Sequence, residues 1–133
     1  MPSFGARSLA CLATCHPDLQ RVAEMAIEIF DFSVYEGHRT EERQNELFAQ
    51  GPHVTKVQWP NSRHNSEPSE AFDAAPYPIE WEDHERFAQL AGVLMACAHQ
   101  LGVKLRWGGD WDRDTRTTDE KFRDRPHFEL DNR

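Results

Sequence analysis

Residues 62–78 read SRHNSEPSEAFDAAPYP, a polar loop that tightens into a short apolar run with a carboxylate at its centre. The run Ala71–Ala75 is short and is closed by Pro76 and Pro78, so it reads as a strand. Alternation places Asp73 on one face with Ala71 and Ala75 and turns Phe72 to the other. Phe72 needs a core, whereas the small neighbours of Asp73 leave room beside it for something other than protein. Upstream, residues 51–70 carry Pro, Asn, Ser and Gly with little periodicity, which makes them one long loop. Loops of that length in compact domains are usually functional or mobile, and this one carries His64.

The rest of the chain supplies helices around such strands. Ser8 reads as the cap of a short first helix ending near Ala13, and Pro17, behind His16, opens a second. Leu19, Val22, Ala23, Ala26, Ile27 and Phe30 recur at helical spacing there and form one apolar face. Phe32–Glu36 reads as a strand. Thr40 caps a third helix, with Glu41 and Glu42 at the positive end of its dipole, and Gly51-Pro52 stops it. The longest helix runs from about Trp81 to Leu101 on a stripe of Phe87, Leu90, Ala91, Leu94, Ala98 and Leu101, with Gly102 as its C-cap. Val103–Trp107 is a third strand, residues 110–119 an acidic loop and His127–Leu130 a last strand. The expected fold class is α+β, several helices packed on a small antiparallel sheet.

The chain has 133 residues, which fits a single domain, 1–133. Hydrophobic residues make up 38% and aromatics 11%, enough for one core despite a mean hydropathy of −0.77. The net charge of −8 disfavours binding to nucleic acid or to anionic membranes. No stretch approaches a membrane span and no apolar segment of signal length opens the chain, so a cytoplasmic location without stable membrane insertion is expected. Cys11, Cys15 and Cys97 are an odd number without framework spacing and read as reduced thiols. No long apolar surface stripe argues for obligate assembly, so a monomer is expected.

Seven histidines are candidates for chemistry. His84 and His99 stand roughly 22 Å apart on one helix and cannot share an ion. His64 and His127 have more telling surroundings. In the last strand His127 shares a face with Glu129, opposite Phe128 and Leu130. Pro126 pushes Arg125 towards extended geometry and leaves Asp124 in a turn or bulge just before His127. Two imidazoles and a carboxylate, here His64, Asp73 and His127, form the set with which zinc keeps its fourth position open to water. An unligated carboxylate nearby, Asp124, would then move the water's proton. Ordinary structural explanations exist as well: a hydrogen-bonded Asp near a turn, a packed edge-strand His and a solvated turn Asp. No HExxH-type motif decides the matter, and on spacing alone both readings stand.

The combination Ser62-x-His64, Ala71-x-Asp73 and Asp124-x-x-His127 resembles the VanY-like family of zinc D-Ala-D-Ala carboxypeptidases and L-alanyl-D-glutamate endopeptidases, whose fold is shared with the Hedgehog signalling domain. His16-Pro17-Asp18-Leu19, the run Glu36–Gln44 and Pro126–Leu130 fit as well, and the likeness is strongest to single-domain phage endolysins. It spans about Ser3 to Leu130. The resemblance implies one zinc ion (Zn2+) per chain on His64, Asp73 and His127, with Asp124 as catalytic carboxylate. It gives Arg39 the positioning of substrate carboxylates, which a guanidinium fork holds bidentately, and Ser62 the orienting of the site or a substrate contact. Taken from the residues alone, Arg39 also reads as a surface partner of Glu41 or Glu42. The implied activity is hydrolysis of the L-Ala–D-Glu bond of peptidoglycan stem peptides for host-cell lysis, with a holin-type pore giving access to the wall. The alternatives are a D-Ala-D-Ala carboxypeptidase and a non-catalytic, metal-containing cell-wall-binding module. One departure is the nine-position step from His64 to Asp73, two longer than the family's usual spacing. The extra length falls in Asn65–Glu70, where a longer loop costs little closure entropy. The acidic loop with Asp110, Asp112, Asp114, Asp119 and Glu120 lacks the EF-hand pattern and reads as a solvated border of the cleft. Trp107 and Trp111 read equally as cleft or core.

Overall fold

Phe72 and Phe128 stand opposite each other on neighbouring strands, both fully buried, and pin the centre of the sheet. The computed structural model describes residues 2–116, 118 and 123–132. Its helices are α1 (Ala6–Ala13), α2 (Pro17–Ile27), α3 (Glu41–Ala49) and α4 (His84–Leu101). The strands are β1 (Phe32–Glu36), β2 (Ala71–Pro76), β3 (Leu105–Gly108) and β4 (Asp124–Leu130), with a 3-10 turn at Arg63–Asn65. They form one antiparallel sheet in the order β1-β2-β4-β3. The fold is α+β, as the hydrophobic patterning requires.

One side of the sheet carries Phe72, Ala74, Phe128, Leu105 and Trp107 into a core shared with Leu19, Val22 and Ala26 of α2 and Leu90, Leu94 and Ala98 of α4. Residues of the opposite parity, Asp73, His127, Glu129 and Arg106, share a cavity on the other side. Register and site are therefore one decision. A one-residue slip of β2 would exchange Phe72 with Asp73. That forfeits about 1.5–3 kcal/mol of aromatic burial and adds the cost of an unpaired carboxylate in the core.

Several boundaries differ from the sequence reading, each for a local reason. α1 begins at Ala6 behind Gly5, and no side chain caps it. Ser8 lies inside it, where its Oγ accepts a hydrogen bond from Val34 N at 3.0 Å and ties α1 to β1. α4 starts at His84 because the Asp83 side chain accepts from Arg86 N, and Gly102 closes it in the left-handed region at φ 73°. β4 starts three residues before His127, so Asp124 belongs to the strand. The ladder with β3 is nevertheless irregular there: Trp107 pairs with Phe128 and Gly108 with Asp124. A Cβ on Gly108 would collide with the Asp124 carbonyl, so only glycine lets β3 approach the bulge. Trp107 belongs to the core, its Nε1 donating to Arg125 O at 2.7 Å.

Loop 51–70 is anchored at its downstream end. Ser69 is fully buried, its N donates to Thr14 O at 2.9 Å, and its carbonyl accepts from His16 N at 2.8 Å. The additional residues between His64 and Asp73 are thus laid against the α1–α2 junction. His38 holds the same segment through Nδ1 to Ser66 O at 3.0 Å.

Candidate metal centre

His64 comes from the 3-10 turn, Asp73 from β2 and His127 from β4, and all three line one cavity of about 540 Å³. Asp73 and His127 are direct cross-strand partners. His64 reaches them because Ser62 caps its turn: Ser62 Oγ accepts from His64 N at 3.2 Å, and Ser62 N donates to Asn65 Oδ1 at 3.0 Å. His64 Nε2, His127 Nδ1 and Asp73 Oδ1 stand 3.3 Å from one another on all three edges.

The outer nitrogens fix what these atoms are. His64 Nδ1 donates to the Gly37 carbonyl at 2.8 Å, which leaves Nε2 with its lone pair facing inward. His127 Nε2 donates to Glu129 Oε1 at 2.8 Å, so Nδ1 faces inward likewise. Asp73 Oδ1 is buried and accepts no hydrogen bond of proper geometry. Three electron pairs directed at one point repel unless a cation lies among them. A tetrahedral ion with bonds of about 2.0–2.1 Å has ligand-to-ligand edges of about 3.3–3.4 Å, which the observed triangle matches. Two nitrogens and one carboxylate oxygen are also the donor set of hydrolytic zinc sites. The residues fit the ion.

Charge at the centre responds as this arrangement predicts. Burial disfavours the imidazolium of His127, yet the close approach of the Asp73 carboxylate and its charge, together with the hydrogen bond to Glu129, overcome it and push the pKa up to about 10. Burial alone would raise Asp73, but the two histidines hold it far below the usual carboxylate range. The metal-free site therefore draws a proton into the place an ion would take.

A second layer holds the first. Glu129, which the sequence reading left without a role, is buried and receives Arg106 Nη2 at 2.6 Å. Burial opposes its ionisation, but His127 and Arg106 lower its pKa to about 2, so it stays charged. The signal for it was its position two residues beyond His127 on the same strand face. The Gly37 carbonyl leaves no such signal. A Cβ at Gly37 would strike Cys11 O at 2.5 Å and the Thr14 hydroxyl. Gly37→Ala is expected to cost about 1–3 kcal/mol through overpacking and to displace the carbonyl that orients His64. Denaturant midpoints and zinc titration check this, and a variant of native stability would show that the close contact relaxes freely.

Arg39 lines the cavity, but its fork is occupied. Nε and Nη2 bind both oxygens of Glu36 at 2.9 Å, Nη1 donates to Gln44 Oε1 at 2.9 Å, and Nη2 lies 3.7 Å from Asp73 Oδ2. Its partner is Glu36 rather than Glu41 or Glu42. Gln44 is wholly buried and also accepts from Asn65 Nδ2 at 3.3 Å, a role that no sequence pattern announced.

Asp124 lines the cavity half-buried. Burial raises its pKa, with the Asp73 charge adding to the shift and His127, His64 and Arg39 opposing it. Trp111 forms a wall, its ring tilted against His127 at 5.5 Å between centroids. In the neighbouring acidic turn, Asp110, Asp112 and Asp114 accept hydrogen bonds from the backbone nitrogens of Thr115, Asp114 and Arg116. Asp119 and Glu120 of that loop lie outside the described residues. His84, His99 and His53 are exposed and belong to no cluster among the described residues.

The model of the phage L-alanyl-D-glutamate peptidase family matches residues 2–131. The chain belongs to this family. The L-alanyl-D-glutamate peptidase of Escherichia phage T5 is a 36% identical relative over 135 residues, 96% of each chain. Among solved structures, the Serratia marcescens L-Ala D-Glu endopeptidase ChiX superposes with a TM-score of 0.74 at 32% identity, over 97% of this chain and 90% of that one. This member of the peptidase family thus brings together His64, Asp73 and His127, the three side chains that the family resemblance singles out, on the fold of a related endopeptidase.

Proposed function

We propose that the chain is a zinc-dependent peptidoglycan peptidase that hydrolyses the L-Ala–D-Glu amide of stem peptides. The observation that carries this reading is the 3.3 Å triangle of inward-facing ligand atoms opening into a peptide-sized cavity, on a chain of the L-alanyl-D-glutamate peptidase family. Zinc held by His64, Asp73 and His127 supplies a Lewis acid that polarises the amide carbonyl and acidifies water.

The chain's own residues do the rest. Asp124 accepts a proton from the attacking water and delivers it to the leaving nitrogen of D-Glu. The amide C–N bond breaks, the hydroxyl stays with the alanine carbonyl carbon, and the proton stays with the new amine. Gly37 and Glu129 hold the two imidazoles in the tautomers that face inward. Arg39, its fork closed on Glu36, steadies Asp73 from the far oxygen, and Ser62 orients the turn that presents His64. Trp111 shields one side of the centre from water.

Among the described residues no helix is long and apolar enough to cross a membrane. We place the enzyme in the host cytoplasm until a holin-type pore opens its way to the wall. Digestion of purified sacculi followed by mass spectrometry of the muropeptides tests the reaction. The expected product carries a new free amine on D-Glu. Loss of a single terminal alanine would instead assign a D,D-carboxypeptidase, and an undigested wall would leave a binding module.

A further inference from the structure

The cavity has a charge balance unlike that of the chain. The chain carries a net charge of −8, yet Arg39, Lys56, Arg63 and Arg106 match the cavity's carboxylates one for one. A divalent ion would make the pocket positive inside an acidic protein, which draws in an anionic ligand.

The three guanidiniums differ in what they have left to offer. Arg39 is 9% exposed and is bound at both edges by Glu36 and Gln44. Arg106 is 18% exposed; Nη2 holds Glu129, Nη1 donates to Trp111 O at 3.4 Å, and Nε is buried without a partner. Arg63 is 34% exposed and directly precedes the ligand His64. Its Nη1 donates to Glu70 at 2.9 Å and its Nε lies 3.7 Å from Glu129 Oε2, while Nη2 makes no hydrogen bond or ion pair with the described residues. Glu70 is itself about as exposed as Arg63. A pair of that kind contributes little and exchanges readily for another carboxylate. The buried two-pronged pair of Arg39 with Glu36 does not.

We infer that Arg63 is the residue that binds the free carboxylate of the substrate next to the scissile amide, and so sets specificity for an unamidated stem peptide. This rests on the L-Ala–D-Glu reading above. D-Glu continues the stem through its side-chain carboxyl, so its α-carboxylate stays free one residue from the cut. Arg63 stands two contacts from the centre, through Glu129 to His127. The 3-10 turn that presents His64 carries it, so its position relative to the centre is fixed.

The test compares two synthetic peptides, L-Ala-γ-D-Glu-L-Lys and its α-amide with D-isoglutamine, on wild type, Arg63→Gln, Arg63→Lys and Arg39→Gln. Taking the ratio of kcat/KM for the two peptides on one enzyme cancels any difference in zinc loading. Wild type is expected to prefer the carboxylate by about ten- to a hundredfold, the worth of one charge-assisted hydrogen-bonding contact, and chiefly in KM. Arg63→Gln is expected to bring the ratio close to one, Arg63→Lys to restore part of it, and Arg39→Gln to slow both peptides with the ratio kept. Cleavage of both peptides by wild type at equal rates would overturn the subsite and leave the reaction standing. A ratio lost in Arg39→Gln but kept in Arg63→Gln would move the carboxylate to Arg39. Cleavage of neither peptide would overturn the L-Ala–D-Glu reading and the subsite with it.

Discussion

Asp124→Asn is expected to lower kcat on stem peptides by about 10²–10⁴-fold, the usual worth of a positioned general acid–base group, with zinc content and thermal stability close to wild type. Elimination as well as position singles out Asp124. Of the four carboxylates lining the cavity, Glu36 is closed by Arg39, Asp73 belongs to the triangle, and Glu129 is engaged by His127 and Arg106. The Asp124 carboxylate alone makes no hydrogen bond or ion pair with the described residues. Burial lifts its pKa, and the Asp73 charge adds to this. That shift brings a carboxyl closer to the range where it can both take and give a proton, although a bound cation draws it back down. Asn keeps the shape and removes the proton site. The base-side role has a definite sign: kcat/KM should fall as pH drops through the Asp124 pKa, and the Asn variant should lose that limb. If Asp124→Asn retains wild-type kcat with full zinc, another group moves the proton and the proposed mechanism fails.

Removal of the metal carries the second large effect. A chelator should abolish hydrolysis of sacculi, with added zinc restoring it. His127→Ala should weaken zinc binding beyond the 10–100-fold that loss of an outer-shell partner causes, because it deletes a ligand. The pH dependence follows from His127. Its pKa in the metal-free fold is about 10, above about 6.5 for a free imidazole. Proton binding therefore stabilises the metal-free fold fully below about pH 6.5, and that contribution is lost as pH rises through about 10. An incoming ion has to displace this proton, so apparent zinc affinity should climb about tenfold per pH unit as pH rises towards about 10. Calorimetry near pH 7.5 in buffers of different ionisation enthalpy should register at least one proton released per zinc, with ionisation of the zinc-bound water adding to it. An affinity that stays flat from about pH 6 to pH 8, with no proton release, would mean that the three side chains do not share an ion.

Much of this architecture is legible in the residues. The stripe from Phe87 to Ala98, the cap at Thr40 and the C-cap glycine at Gly102 are local chemistry, and they appear where pattern and propensity place them. The alternation Phe72/Asp73 and His127/Phe128 is local as well, since a strand can point neighbours only to opposite faces. Boundaries were less legible. Ser8 is a good cap residue, but the unpaired Val34 N–H of β1 gives it another partner, and no window around residue 8 contains that fact.

The sequence by itself therefore determined which side chains go to the core and which are left over, because periodicity is a property of short stretches. What those left-over side chains do was decided only by tertiary structure. The ordering β1-β2-β4-β3 sets Asp73 beside His127; the capped turn brings His64 within 3.3 Å of both; Glu36 claims the fork of Arg39 and leaves Arg63 with an open edge. Each of these is a contact between residues far apart along the chain. Such contacts come from closing loops and packing faces against one another, which no single segment encodes.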